Sequence, residues 1–103
     1  MIIVEGWVRM AGEDIGALRV AAAEMMRATK AAEPGCLEYA FALDLAEPGL
    51  LRVIERWVDE VALTAHFATP HMAAFNQALA GAKVLGANIK VYDADEVRTI
   101  MER

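Results

Sequence analysis

Residues 36–58, CLEYAFALDLAEPGLLRVIERWV, decide the fold class. Cys36 to Asp44 has strand character: Leu37, Tyr39, Phe41 and Leu43 alternate with Cys36, Glu38, Ala40, Ala42 and Asp44. Glu47-Pro48-Gly49 is a turn signal, and Leu50 to Val58 then alternates again, Leu51, Val53, Glu55 and Trp57 against Arg52, Ile54, Arg56 and Val58. Two such runs joined by a short loop predict an antiparallel hairpin. A hairpin in the middle of the chain excludes a purely parallel sheet.

Toward the N-terminus, residues 2–10 alternate as a first strand, with Ile2, Val4, Gly6 and Val8 on one face and Ile3, Glu5, Trp7 and Arg9 on the other. Asp14 to Ala32 spaces Ile15, Leu18, Ala22, Met25 and Thr29 by three and four, the pattern of a long amphipathic helix. Glu33-Pro34-Gly35 stops it, because a proline disfavours helix in the residue before it. Toward the C-terminus, Asp59 caps a short helix through about His66, and Thr69-Pro70 starts another that reaches about Ala80. Lys83 to Tyr92 reads as a last strand weakened by Gly86 and Asn88, and Asp95 to Arg103 as a terminal helical turn or two. This order predicts an α+β, ferredoxin-like sandwich with an antiparallel sheet and helices on one face. The second strand is apolar or small on both faces, so the bare face is expected to meet a second copy, sheet against sheet.

At 103 residues the chain is read as a single domain, 1–103. Its hydrophobic share of 57% exceeds the roughly 45–50% usual for soluble domains, and 21 of the residues are alanine. A domain this small buries only about 60–70% of its unfolded surface, which again points to a homodimer. A net charge of −5 with no basic cluster excludes a nucleic-acid partner. No apolar run has membrane-spanning length, and Glu5 breaks the N-terminal run, so a cytoplasmic chain with no membrane partner is expected. The lone Cys36 reads as a small strand residue, since no base lies near it in sequence.

The strongest chemical signal is Glu55-Arg56-Trp57 followed by His66-Phe67-Ala68-Thr69-Pro70-His71-Met72, with Phe75 one turn on. Together with the Glu33-Pro34-Gly35-Cys36 turn, Tyr39 and Asn88, these residues resemble the antibiotic biosynthesis monooxygenase family of dimeric α+β barrels. The likeness spans nearly the whole chain and is greatest to small quinol-monooxygenase-like members. It implies a dimer closed through the two sheets into an α+β barrel, and a pocket between sheet and helices. It also implies chemistry without flavin or metal, in which a deprotonated, electron-rich substrate reduces dioxygen directly. The haem-degrading branch carries tryptophan and an iron-ligating histidine where this chain has His66 and Asn76, so haem is not expected.

His66 reads either as a helix-end histidine or as the acid–base group, since imidazole titrates near neutral pH. Trp57, Phe67, Met72 and Phe75 supply either core or the wall of an aromatic pocket, with His71 beside them. Glu5 meets solvent or, if buried, is a second base, with Trp7 on the same strand face. Asn88 is a bulge or turn residue or a ligand contact. Glu55 pairs with Arg52 or Arg56 or serves as a pocket acid. The two histidines lack metal-site spacing and no third ligand is evident, so no metal or other cofactor is expected. The reading is a cofactor-independent monooxygenase or oxidase of a hydroquinone or polycyclic phenol, with dioxygen as co-substrate. The alternatives are an isomerase of a small dione and a non-catalytic dimeric ligand-binding or stress module.

Overall fold

The computed structural model describes residues 1–103 and runs β1 (Ile2–Met10), α1 (Gly12–Ala32), β2 (Cys36–Leu43), β3 (Leu50–Trp57), α2 (Glu60–His66), α3 (Pro70–Leu79) and β4 (Val84–Asp93). The strands form one antiparallel sheet in the order β2-β3-β1-β4, the ferredoxin-like α+β arrangement that the central hairpin predicts. The hairpin loop is held by Asp44, whose Oδ1 accepts from the amides of Ala46 and Glu47 at 2.9 and 3.0 Å. Gly49 completes the reversal at φ 91°, a conformation that a side chain penalises.

The register places Trp57 opposite Ile2, Glu55 opposite Val4 and Val53 opposite Gly6. These residues share the face beneath the helices, where Ile2, Val4, Met25, Tyr39, Trp57, Leu63 and Phe75 form the main core. A smaller cluster of Val8, Met10 and Leu18 sits toward the other end of the sandwich. The short helices begin where their caps predict: Asp59 Oδ1 accepts from Ala62 N at 2.8 Å, and Thr69 Oγ1 from Met72 N at 3.2 Å. The Thr69 hydroxyl also donates to the His66 carbonyl at 2.8 Å, tying the end of α2 to the start of α3.

Three sequence expectations need correction. A register shift between Cys36 and Glu38 makes Leu37 the extra residue of a bulge, so Cys36, not Leu37, packs with Tyr39 against the core. Leu37 is half exposed instead. The irregularity in the last strand falls between its pairings with Arg9 and Met10, and Asn88 pairs regularly with Trp7, so Asn88 is not a bulge residue. Residues 95–103 form no helix and are exposed, because so short a segment with nothing to pack on cannot offset the cost of nucleation.

β4 pairs with β1 at the edge of the sheet, and Val84, Leu85, Ile89, Val91 and Tyr92 are each about half exposed. No helix is long and apolar enough to cross a membrane.

Candidate functional site

The site begins where α1 stops. Glu33 caps the helix in an extended conformation, φ −114° and ψ 97°, while its N–H still donates to the Thr29 carbonyl. Pro34 and Gly35 then turn the chain against α2 so closely that a Cβ on Gly35 would stand 2.5 Å from the Ala62 Cβ. The turn therefore delivers the Glu33 carboxylate to the α2–α3 junction. There Glu33 Oε2 lies 2.7 Å from His66 Nδ1 and 2.6 Å from His71 Nε2. The side chains are 11%, 1% and 15% exposed for Glu33, His66 and His71.

An ionised carboxylate only accepts hydrogen bonds, so the geometry assigns a hydrogen to each of the two facing nitrogens. His66 Nε2, on the far side of its ring, is buried with no hydrogen-bond partner. The imidazole is flanked by aromatic rings, Trp57 at 4.8 Å between centroids, Tyr39 at 5.2 Å and the half-exposed Phe67 at 5.9 Å. An imidazole with one nitrogen fixed by a carboxylate and the other free is the arrangement of an oriented proton acceptor.

Glu33, His66 and His71 also form the converging set of metal-capable side chains, one ligand atom from each lying within 4.8 Å of the others. Sequence spacing shows no third partner for the histidines; the fold brings one from a distant turn. Ligands of one tetrahedral ion stand about 3.3 Å apart, from metal–nitrogen bonds of about 2.0–2.1 Å. Both nitrogens are closer than this to the carboxylate oxygen, so in this arrangement the oxygen serves as a shared hydrogen-bond acceptor.

Beneath the histidine lies a second buried acid. Glu55 is 7% exposed and its Oε1 accepts from Trp57 Nε1 at 2.9 Å. Burial pushes its carboxyl up, against the Trp57 hydrogen bond and the nearby His66, which both favour the anion. It makes no ion pair with an arginine: Arg52 bonds Asp44 and Arg56 lies by Glu38. The structural ion-pair reading of Glu55 is thus corrected, because the strand alternation turns Arg52 and Arg56 to the opposite face. Burial, then the carboxylates of Glu55 and Glu33, push the Tyr39 hydroxyl up, and burial does the same first to the Cys36 thiol. Both stay protonated at neutral pH, so Cys36 is no activated nucleophile.

Of the residues singled out from sequence, the fold gathers Trp57, His66, Phe67, His71, Met72 and Phe75 at this end of the sandwich. It does not bring Glu5, Trp7 or Asn88 there. Glu5 is exposed on the opposite face of the sheet, so it is not the buried second base; its register neighbours are Ile54 and Lys90. Trp7 lies on that same face opposite Asn88, with the Arg9 guanidinium 5.0 Å from its ring. Glu33 carries the strongest contacts of the site, yet in the sequence it reads as a helix stop.

A cavity of about 470 Å³ opens between α1 and the sheet, lined by Met10, Leu18, Met26, Phe41, Leu51 and Phe75 among others. That volume is in the range of small-molecule sites. Neither His66 nor Trp57 lines it. The stacked rings of Phe41 and Phe75, 5.2 Å apart, line the cavity, and Phe41 meets Tyr39 edge-on at 5.3 Å, which in turn flanks His66. Of the aromatic group read from the sequence, Trp57 is buried against His66 and Phe75 borders the cavity, whereas Phe67 is exposed at the end of α2 rather than part of a pocket wall, and the open space lies next to His66.

The family model described as antibiotic biosynthesis monooxygenase matches residues 1–78. The chain belongs to the antibiotic biosynthesis monooxygenase family. The matched span of this family holds Glu33, Tyr39, Glu55, Trp57, His66 and His71, and leaves out β4. A Deinococcus radiodurans structure bearing the family's name is 31% identical over 99% of this chain and 100% of that one, with a TM-score of 0.86. A Caulobacter crescentus structure also named for the family is 25% identical over 92% and 90%, with a TM-score of 0.86. A Mycobacterium tuberculosis protein at 23% identity, covering 94% and 98%, shares the fold with a TM-score of 0.81. No curated protein matches the chain.

Proposed function

We propose that this member of the antibiotic biosynthesis monooxygenase family oxidises a hydroquinone or polycyclic phenol with dioxygen, without flavin or metal. The reading rests on one observation: the buried, unpartnered Nε2 of His66, backed through Nδ1 by Glu33. In this reaction the phenolic O–H bond breaks and its proton goes to His66 Nε2. The electron-rich phenolate then gives an electron to dioxygen, and the resulting radical pair closes the new C–O bond. General-base help of this kind contributes about 10²–10⁴-fold to rate. The apolar surroundings keep the reacting anion from water. The ring is held in the cavity under α1 and reaches Nε2 when the Phe41–Phe75 pair parts, with Trp57, Met72 and His71 around it. The Deinococcus radiodurans and Caulobacter crescentus relatives, named for monooxygenases, support the reaction class.

The active species is a cytoplasmic homodimer of a single-domain chain, formed through the sheets. The half-exposed Ile54 of β3 and Tyr92 of β4, on the sheet face away from the helices, support this assembly. A second reading, a non-catalytic dimeric ligand-binding module, is favoured by the cavity's failure to touch His66.

The test is oxygen uptake by purified protein, shown free of metal and flavin, with a panel of hydroquinones and anthrones. Turnover that His66→Gln lowers by about 10²–10⁴-fold supports the oxygenase. Binding without oxygen uptake sinks it and leaves the binding module.

A further inference from the structure

The hydrogen bonds to Glu33 fix more than the position of His66. Because one carboxylate oxygen accepts from both His66 Nδ1 and His71 Nε2, the neutral tautomers are set: His66 carries its hydrogen on Nδ1 and His71 on Nε2. The atoms left to gain or lose a proton are the far ones. They are Nε2 of His66, buried without a partner, and Nδ1 of His71, on a side chain that keeps 15% of its surface. The two imidazoles stand 6.0 Å apart and share one carboxylate, and no lysine or arginine forms an ion pair with Glu33. One imidazolium balances that carboxylate; a second meets the first as a like charge in a poorly solvated place. The remaining ionisable neighbours are Cys36 and Tyr39 on β2 and Glu55 on β3, none of which supplies a positive charge.

We propose that Glu33, His66 and His71 act as a unit holding one imidazolium beside one carboxylate, in which proton uptake at His66 Nε2 is matched by proton release from His71 Nδ1 to solvent. No proton crosses Glu33, and both hydrogen bonds to its oxygen persist throughout. The balance is simple: an O–H bond of the substrate breaks, an N–H bond forms on His66, and an N–H bond on His71 breaks with its proton passing to water. No electrons move in this step. His71 is thus a charge-balancing residue that lets a buried base accept a proton without building up charge. The substrate as the proton's source rests on the function proposed above, whereas the coupling between the histidines belongs to the free protein.

The experiment is ¹⁵N imidazole NMR on the labelled full chain, without substrate, across the pH range of histidine titration. The wild type is expected to keep hydrogens on His66 Nδ1 and His71 Nε2 throughout, with the far nitrogens titrating in two separated steps. In His71→Gln the amide still donates to Glu33 but cannot ionise. His66 should then take its proton at higher pH by about one unit or more, a tenfold gain in proton affinity for a strongly coupled pair. Glu33→Gln should lower the pH at which both histidines take protons, while the shift that His71→Gln produces at His66 persists, since two imidazoliums still repel across 6.0 Å. An unmoved His66 titration in folded His71→Gln overturns the coupling, as does a proton-free Nδ1 on neutral His66. Coupling without any oxygen uptake by the wild type would leave this inference standing and remove the oxygenase; uptake without coupling would do the reverse.

Discussion

Glu33 decides what His66 can do, since it fixes the tautomer that leaves Nε2 free. Nothing in the local pattern reveals this. Pro34 and Gly35 explain Glu33 fully as the end of a helix, and its partners lie 33 and 38 residues downstream. His66 was legible as a candidate because a histidine among Phe67, Met72 and Phe75 stands out in the sequence, but its orientation was not. His66→Gln is expected to lower oxygenase turnover by about 10²–10⁴-fold while leaving the fold intact, checked by steady-state rates and circular dichroism. Glu55 belongs to the same scale. Its carboxyl holds a proton more tightly folded than unfolded, so the native state loses stability as pH rises from the ordinary carboxylate range through the raised value. Glu55→Gln keeps an acceptor for Trp57 Nε1 and removes the buried charge. Its thermal midpoint should exceed that of the wild type near pH 8, and the gap should close near pH 4, where the acid is protonated in both states.

Elements were read more securely than residues, because each carries its own start and stop signals. Asp59 and Thr69 cap α2 and α3 as their side chains predict. Thr69→Ala is expected to cost about 1 kcal/mol of stability in urea unfolding, typical of a lost N-cap, and to loosen the α2–α3 junction that it also holds through the His66 carbonyl. The bulge at Leu37 escaped the reading because strand alternation says nothing of register, which is set by the partner strand. The turn at Gly35 shows how an element boundary becomes part of the site. In Gly35→Ala the new methyl meets Ala62, neither side able to rotate away, so the turn must shift and carry Glu33 with it. This variant should lose stability by about 1–3 kcal/mol, as overpacked sites do, and lose the tautomer signature of His66 in NMR.

At the scale of the whole molecule, the radius of gyration is 14.2 Å, against about 13 Å for a compact domain of this length. The excess follows from β4, at the edge of the sheet, and from the exposed segment beyond it. The half-exposed Ile54 on β3 and Tyr92 on β4, on the sheet face away from the helices, give the proposed dimer its most economical test. Ile54→Lys/Tyr92→Lys should shift the chain from dimer to monomer in analytical ultracentrifugation; a wild type already monomeric at the same concentration would remove the dimer. The alternation and capping patterns by themselves determined the element order, the antiparallel hairpin and the face of β3 that carries Glu55 and Trp57, because these depend on residues close in sequence. Only the tertiary structure decided that Glu33 holds both histidines, that Glu5, Trp7 and Asn88 lie across the sheet from them, and that the open cavity is beside His66 rather than around it. Those outcomes depend on contacts between distant segments, which strand register and helix packing fix and a local pattern does not.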